Sequence, residues 1–199
     1  NIFNLQELIN KFKCKIYVET GTGIGGCLSH MLQYGFDGHY SIDIDEELIL
    51  EAKEKFKNKN VEFHNNYSHK ALEKIVPTPP KNKAILFFLD AHFPKADFHK
   101  ITYEESISTY KEDAFPLSKE IKTIKKHRDI SKDCFIIDDW KLYDPDQAYE
   151  FGGWEYKDLQ DSLGLKTCSS EILENFKDTH NFQIALRHQG FLFATPKND

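Results

Sequence analysis

Lys15-Ile16-Tyr17-Val18-Glu19-Thr20-Gly21-Thr22-Gly23-Ile24-Gly25-Gly26 is a short apolar run that enters a glycine-rich turn, and its reading decides the fold. Ile16 to Val18 are β-branched or aromatic, as a buried strand requires, and residues 27–34 carry Leu28, Met31 and Leu32 at helical spacing. Strand, glycine turn and helix make the opening of a βαβ unit whose turn lies against a ligand. Glycine is needed there because the backbone must turn at positive φ with no Cβ between it and that ligand.

Two ligands compete for the turn, because Gly21-x-Gly23-x-x-Gly26 also satisfies the dinucleotide pattern G-x-G-x-x-G. Glu19 argues against it: a pyrophosphate on the helix N-terminus would be repelled by a carboxylate two residues before the first glycine. A ligand carrying an ammonium and a sulfonium would be attracted. With Glu19 followed by Gly21, Gly23 and Gly25, the chain resembles the class I S-adenosylmethionine-dependent methyltransferases, whose first motif is an acidic residue and then G-x-G-x-G. The resemblance implies S-adenosyl-L-methionine as cofactor, held by these four residues; a purely structural glycine turn is the alternative.

The 199 residues suit one α/β domain, 1–199, with a core large enough to need no disulfide or structural metal. A net charge of -6 and a pI near 5.9 argue against a nucleic-acid partner, which a basic patch would bind, and favour small neutral or cationic substrates. Cys14, Cys27, Cys134 and Cys168 are scattered without C-x-x-C spacing, as reduced, structural thiols in a cytosol-like compartment would be. No apolar run approaches the roughly 18 residues that cross a bilayer, and the first residues lack signal-peptide character. These features predict a soluble, cytoplasmic protein with no membrane partner, although a chain that starts without Met leaves a preceding segment open. Oligomeric state is not legible.

Taken in order, Leu5, Leu8, Ile9 and Phe12 predict an amphipathic helix ahead of the first strand. Residues 39–43 read as a second strand and 46–56 as a helix. Ligands of an open parallel sheet lie beyond the carboxyl ends of its strands, so Asp43 faces the ribose of a bound nucleoside; the resemblance gives it the same role. Helix capping is the other reading of Asp43, and the one preferred for Asp45. A third strand at 61–64 brings Asn65, Asn66 and Ser68 to its end, before a helix over 69–75. In the family that the chain resembles this loop flanks the adenine, which implies that Asn65, Asn66 and Ser68 contact its edge; ordinary loop and cap residues are the alternative.

Ala84 to Leu89 is an unbroken apolar run, the pattern of a central strand, and it ends in Asp90-Ala91-His92. Residues 93–115, with Asp97, His99, Tyr103, Glu104, Glu105 and Tyr110, lack clear periodicity and read as a lid-like insertion with short helices. Pro116 opens a helix through Leu117, Ile121 and Ile124, and residues 134–137 form a fifth strand ending in Asp138-Asp139-Trp140. A second lid-like insertion spans 141–163. A helix around 169–176 precedes strands at 182–186 and 191–194, joined so closely that they form an antiparallel hairpin. The predicted fold is α/β: one doubly wound, mainly parallel sheet of about seven strands with a C-terminal antiparallel hairpin, the Rossmann-like class I methyltransferase architecture.

Asp90, Asp138 and Asp139 converge at the sheet's carboxyl edge. An all-oxygen set selects a hard cation, Mg²⁺ or else Mn²⁺, and this arrangement resembles the metal-dependent macrocin-type sugar O-methyltransferases. Their motif continues Asp-x-Asp after the fourth strand, whereas this chain has His92 two residues beyond Asp90. A metal-bound sugar hydroxyl would lose its proton to a base, and His92 is the candidate, with Asp90 beside it. A hydrogen-bonding loop histidine, and capping or lysine-paired aspartates, are the plainer alternatives. Trp140, Tyr143 and Trp154 could stack on a sugar face or belong to the core. The expected function is metal-assisted O-methylation of a sugar hydroxyl; a catechol-like acceptor and a noncatalytic ligand-binding protein of the same fold are the alternatives.

Overall fold

The computed structural model describes residues 4–98, 100–144, 150–151, 154–155 and 168–197. Its centre forms from the two most apolar runs of the chain. β1 (Cys14–Thr20) and β4 (Ala84–Leu89) lie parallel, with Val18 opposite Phe87 and Thr20 opposite Leu89, and all of β4 is buried. β2 (Gly38–Asp43) pairs with β1 and β3 (Val61–Asn65) with β2, while β5 (Cys134–Ile137) pairs with β4, all in parallel. A separate two-strand ladder joins β6 (Glu150–Phe151) to β7 (Trp154–Glu155). β8 (His180–Ala185) and β9 (Phe191–Pro196) form the expected hairpin, and β9 runs antiparallel to β5. The seven-stranded order is β3-β2-β1-β4-β5-β9-β8. It reverses between β1 and β4, where the carboxyl ends of the strands open a crevice.

Side chains alternate across the sheet and build two cores. Tyr17, Leu86, Phe88 and Ile136 face α1 (Leu5–Phe12), α2 (Gly26–Met31) and α3 (Glu46–Lys55). Val18, Ile85, Phe87 and Phe135 face the other helices. These are α4 (Ser68–Ile75), α6 (Leu117–His127) and α7 (Cys168–Glu174), α5 (Tyr103–Tyr110) lying on the rim of this core. Asp45 caps α3, accepting from the N–H groups of Glu47 and Leu48 as the sequence leads one to expect.

The first insertion is more ordered than its sequence suggests. Phe93, Ala96, Ala114 and Phe115 are core residues, and between them lie α5 and a 3-10 turn at Lys111–Ala114. A capping box starts α5: the Thr102 hydroxyl accepts from Glu105 N–H while the Glu105 carboxylate accepts from Thr102 N–H. Most of the second insertion lies outside the described residues, including the glycines at 152 and 153. Trp140 and Tyr143 are buried core residues, the second of the two readings that the sequence leaves open; the side chain of Trp154 lies outside the described ones. β8 starts two residues earlier than predicted, at His180, whose ring stands 2.9 Å from the Asp133 carbonyl.

At the far edge of the sheet from the crevice, Asp133 accepts from Arg128 Nε and Nη2 at 2.6 and 3.0 Å and from Ile85 N–H at 2.8 Å. Arg128 also donates to the Lys83 carbonyl. Cys14, Cys27 and Cys134 are free thiols, and no helix among the described residues is long and apolar enough to cross a membrane.

Candidate functional site

The glycine turn leaves β1 in left-handed backbone, with φ of 82° at Gly21 and 49° at Gly23. Side chains are excluded there for a second reason. A Cβ on Gly21 would stand 2.5 Å from the Asp90 carbonyl oxygen, and one on Gly23 would stand 2.9 Å from the Phe98 ring. The turn is tied to β2: Gly21 and Thr22 N–H both donate to the Ile42 carbonyl, and Gly23 N–H donates to Asp43 Oδ2 at 2.9 Å. Asp43 Oδ1 accepts from Asp45 N–H at 2.9 Å, so this carboxylate both braces the corner and faces the crevice. Its burial raises its pKa.

A cavity of about 320 Å³ opens over the crevice. Gly21, Gly23, Asp43, Asn66 and Ser68 line its turn side, with Ile44 and Leu48 as apolar neighbours. Asn66 Oδ1 accepts from Tyr67 N–H, and Ser68 is buried at the start of α4. Two of the sequence candidates stand elsewhere. Gly25 lies against Phe56, outside the lining. Glu19 lies one layer behind the wall at 1% exposure, accepting from the Tyr17 hydroxyl at 2.7 Å and the Ser41 hydroxyl at 2.6 Å. Burial pushes its pKa up to about 7, the two hydroxyls opposing and the charges of Asp90 and Asp43 adding to the rise.

Asp90, His92, Asp97, Asp113, Asp138 and Asp139 line the opposite, acidic side. His92 is its centre. Nε2 is 2.6 Å from Asp139 Oδ2 and 3.3 Å from Asp90 Oδ1, and Nδ1 is 3.7 Å from Asp97 Oδ2. Burial alone would lower its pKa, but Asp139 and Asp90 outweigh burial and hold it well above that of a free imidazole. The surrounding carboxylates thus favour the protonated form of His92. Asp138 is pushed up to about 7 by burial and by the charges of Asp90 and Asp139.

In this geometry Asp90, Asp138 and Asp139, the expected metal set, face other partners. Asp90 and Asp139 meet on the His92 ring instead of on an open centre, and Asp138 Oδ1 accepts from Asp139 N–H at 2.7 Å. A protonated His92 ring supplies positive charge where the cation was expected. Among the described residues, no group of three or more His, Cys, Asp or Glu is placed to hold a metal ion.

Three participants escaped the sequence reading. Glu120 is 1% exposed on α6, and burial pushes its pKa up to about 7 against the Ser68 and Thr20 hydroxyls. Its position three residues after Leu117 and one before Ile121 places it on the inward face of that helix, a signal present in the sequence. Asp113 and Phe98 carried none, because only the packing of 93–115 brings them to the cavity.

No protein-family model and no curated protein matches the chain. Solved structures share its fold. An O-methyltransferase of Bacillus cereus in complex with SAH has a TM-score of 0.60 at 12% identity, over 97% of this chain and 79% of that one. A Streptococcus mutans chain in complex with SAH has 0.53 at 17%, over 100% of each. The N-methyltransferase NodS of Bradyrhizobium japonicum has 0.51 at 9%, over 97% and 92%. At these identities the likeness is one of fold: a seven-stranded, mostly parallel, Rossmann-like methyltransferase sheet closed by an antiparallel pair.

Proposed function

We propose that the chain is an S-adenosyl-L-methionine-dependent O-methyltransferase whose acceptor is a small hydroxyl-bearing molecule, a sugar or a catechol-like diol. One observation carries this reading: the glycine turn with Asp43 and the Asp90, His92 and Asp139 cluster line the same cavity. A ligand on the turn therefore faces an acceptor on the cluster. The SAH complexes among the structural neighbours support the donor, and the Bacillus cereus O-methyltransferase supports the reaction. Because another neighbour is an N-methyltransferase, the choice of oxygen rests on the cluster. A hydroxyl must surrender a proton to attack, and carboxylates around an imidazole are suited to take one.

The turn side fits the cofactor, because Gly21 and Gly23 line the cavity with backbone alone and the Asp43 carboxylate faces it. When bound, the cofactor supplies an electrophilic methyl group on a sulfonium. Asp43 retains lone pairs beyond its bonds to Gly23 and Asp45 with which to accept from ribose hydroxyls. His92 accepts the acceptor's proton from its neutral form, reached when the proton its carboxylates hold passes to solvent at the cavity mouth. Positive charge brought to the turn favours that release. Asp139 orients the ring and Asp90 accepts a hydrogen bond from the acceptor. Among the described residues, the acidic side as arranged does not fit a metal ion.

Labelled S-adenosylmethionine incubated with the chain and a panel of glycosides and catechols, with and without EDTA, tests the proposal. Transfer to a hydroxyl of the panel, insensitive to EDTA, is expected. Donor binding without any transfer would favour the noncatalytic reading, and no donor binding would end the proposal. Loss of turnover in EDTA, restored by Mg²⁺, would return the three aspartates to the ligand role. His92→Ala should keep donor affinity and lower the rate by about 10²–10⁴-fold, the usual worth of a general base.

A further inference from the structure

The chain leaving β4 does not run straight to α5 but turns back over the glycine turn. Phe93 and Lys95 sit in left-handed backbone, at φ of 39° and 68°, a cost that non-glycine residues sustain only where the surroundings over-determine the conformation. The base of this strap is fixed. Phe93 is buried and its N–H donates to the Ala114 carbonyl, and the Ser106 hydroxyl donates to the Pro94 carbonyl at 2.9 Å. Its far part reaches across the cavity mouth. The Phe98 ring lies on Gly23, lines the cavity and is still 37% exposed. Lys100 then joins the strap to the opposite rim, Nζ standing 2.7 Å from both Asp45 Oδ2 and Glu47 Oε2.

That rim is the start of α3. Asp45 is its N-cap, with a side chain only 3% exposed, and the cavity-lining Asp43, Ile44 and Leu48 lie within three residues of it. We infer that Phe98 is an outer wall that packs on Gly23 and retains the cofactor in the cavity beside it, and that Lys100 is a positioning residue that acts through it by clasping the strap to α3. This rests on the donor reading proposed above. A bound cofactor leaves only after the ring lifts, and the ring lifts more readily when the ammonium is not held by the two carboxylates.

The test uses the full chain with SAH as the probe, followed by calorimetry and by stopped-flow displacement. Lys100→Met, which keeps the length and removes the charge, should weaken SAH binding about three- to tenfold, chiefly through faster dissociation. Lys100→Arg should restore it. In the wild type, salt should speed dissociation, because the Glu47 arm of the clasp is exposed; in Lys100→Met that salt dependence should vanish. Phe98→Ala should weaken binding as well and should abolish any further effect of Lys100→Met, since the lysine works only through the ring. In turnover, Lys100→Met should raise KM for the donor and leave kcat unchanged. Wild-type dissociation indifferent to salt, or additive effects of the two substitutions, would overturn the inference. A wild-type chain that does not bind SAH would remove the donor reading itself, and the clasp with it.

Discussion

Asp43 carries two loads, and one substitution exposes both. Asp43→Ala should weaken S-adenosylmethionine binding by about 1.5–3 kcal/mol if the carboxylate holds the ribose by charge-assisted hydrogen bonds, as titration calorimetry would read. Because the same carboxylate accepts from Gly23 and Asp45, the variant should also lose stability in urea. Unchanged affinity in a folded variant would leave Asp43 with the brace alone. Glu19 predicts a pH dependence of stability. Its pKa rises from 4.5 to about 7 on folding, so from roughly pH 4.5 upward the folded state keeps a proton that the unfolded chain releases. The associated stability is full at low pH and is lost as pH rises to about 7, a change of up to roughly 3 kcal/mol. Urea unfolding at pH 5 and pH 8 should show that loss in the wild type and a smaller one in Glu19→Gln; equal slopes would mean that Glu19 stays ionised. Asp43 was legible because strand ends face the crevice of a parallel sheet. The burial of Glu19 behind the wall was not, since its partners Tyr17 and Ser41 are ordinary strand residues whose facing depends on register.

The glycine turn couples β1 to the end of β4, and Gly21 is the point of contact. Gly21→Ala must accept left-handed backbone and a Cβ at 2.5 Å from the Asp90 carbonyl, so either the turn or the Asp90 segment moves. A loss of about 2–4 kcal/mol in urea unfolding, with impaired donor binding in the folded fraction, is expected. Elements defined by apolar runs were legible: β4 and β5 are wholly apolar buried strands, and β1 is buried at all but Lys15. Short helices were expected within 93–115, but the place of α5 was not legible, because Tyr103, Ile107 and Tyr110 only border the core and make no strong apolar stripe. Its start signal was present all the same. Thr102-Tyr103-Glu104-Glu105 has the T-x-x-E spacing of a capping box, and that local hydrogen bonding starts the helix without help from burial. The arrangement of the three aspartates was not legible for a related reason: strand order brings them to one edge, but the direction of the His92 ring among them depends on packing of Phe93 that no spacing reports.

At the scale of the molecule, Arg128 and Asp133 hold the edge of the sheet opposite the cavity. Both side chains are nearly inaccessible, at 3% and 0% exposure, and Asp133→Ala would leave the guanidinium buried and unpaired. A loss of about 3–5 kcal/mol in urea unfolding is expected, with donor affinity of the folded protein unchanged because the cavity lies at the other edge. A loss within experimental error would show that water reaches Arg128. The sheet order followed from the alternation of strands and helices, and the hairpin from its short loop; neither could show what the hairpin supports. Gly190 and Gln189, at its turn, accept from the N–H groups of Trp140 and Lys141, beside Asp139 in its left-handed backbone at φ 50°. The strand that follows, β9, closes the sheet on β5. During synthesis the glycine turn and β4 leave the ribosome well before residues 180–196 have been made. The segment that carries Asp139 is therefore the last part of the cavity wall to gain its support as the chain is made.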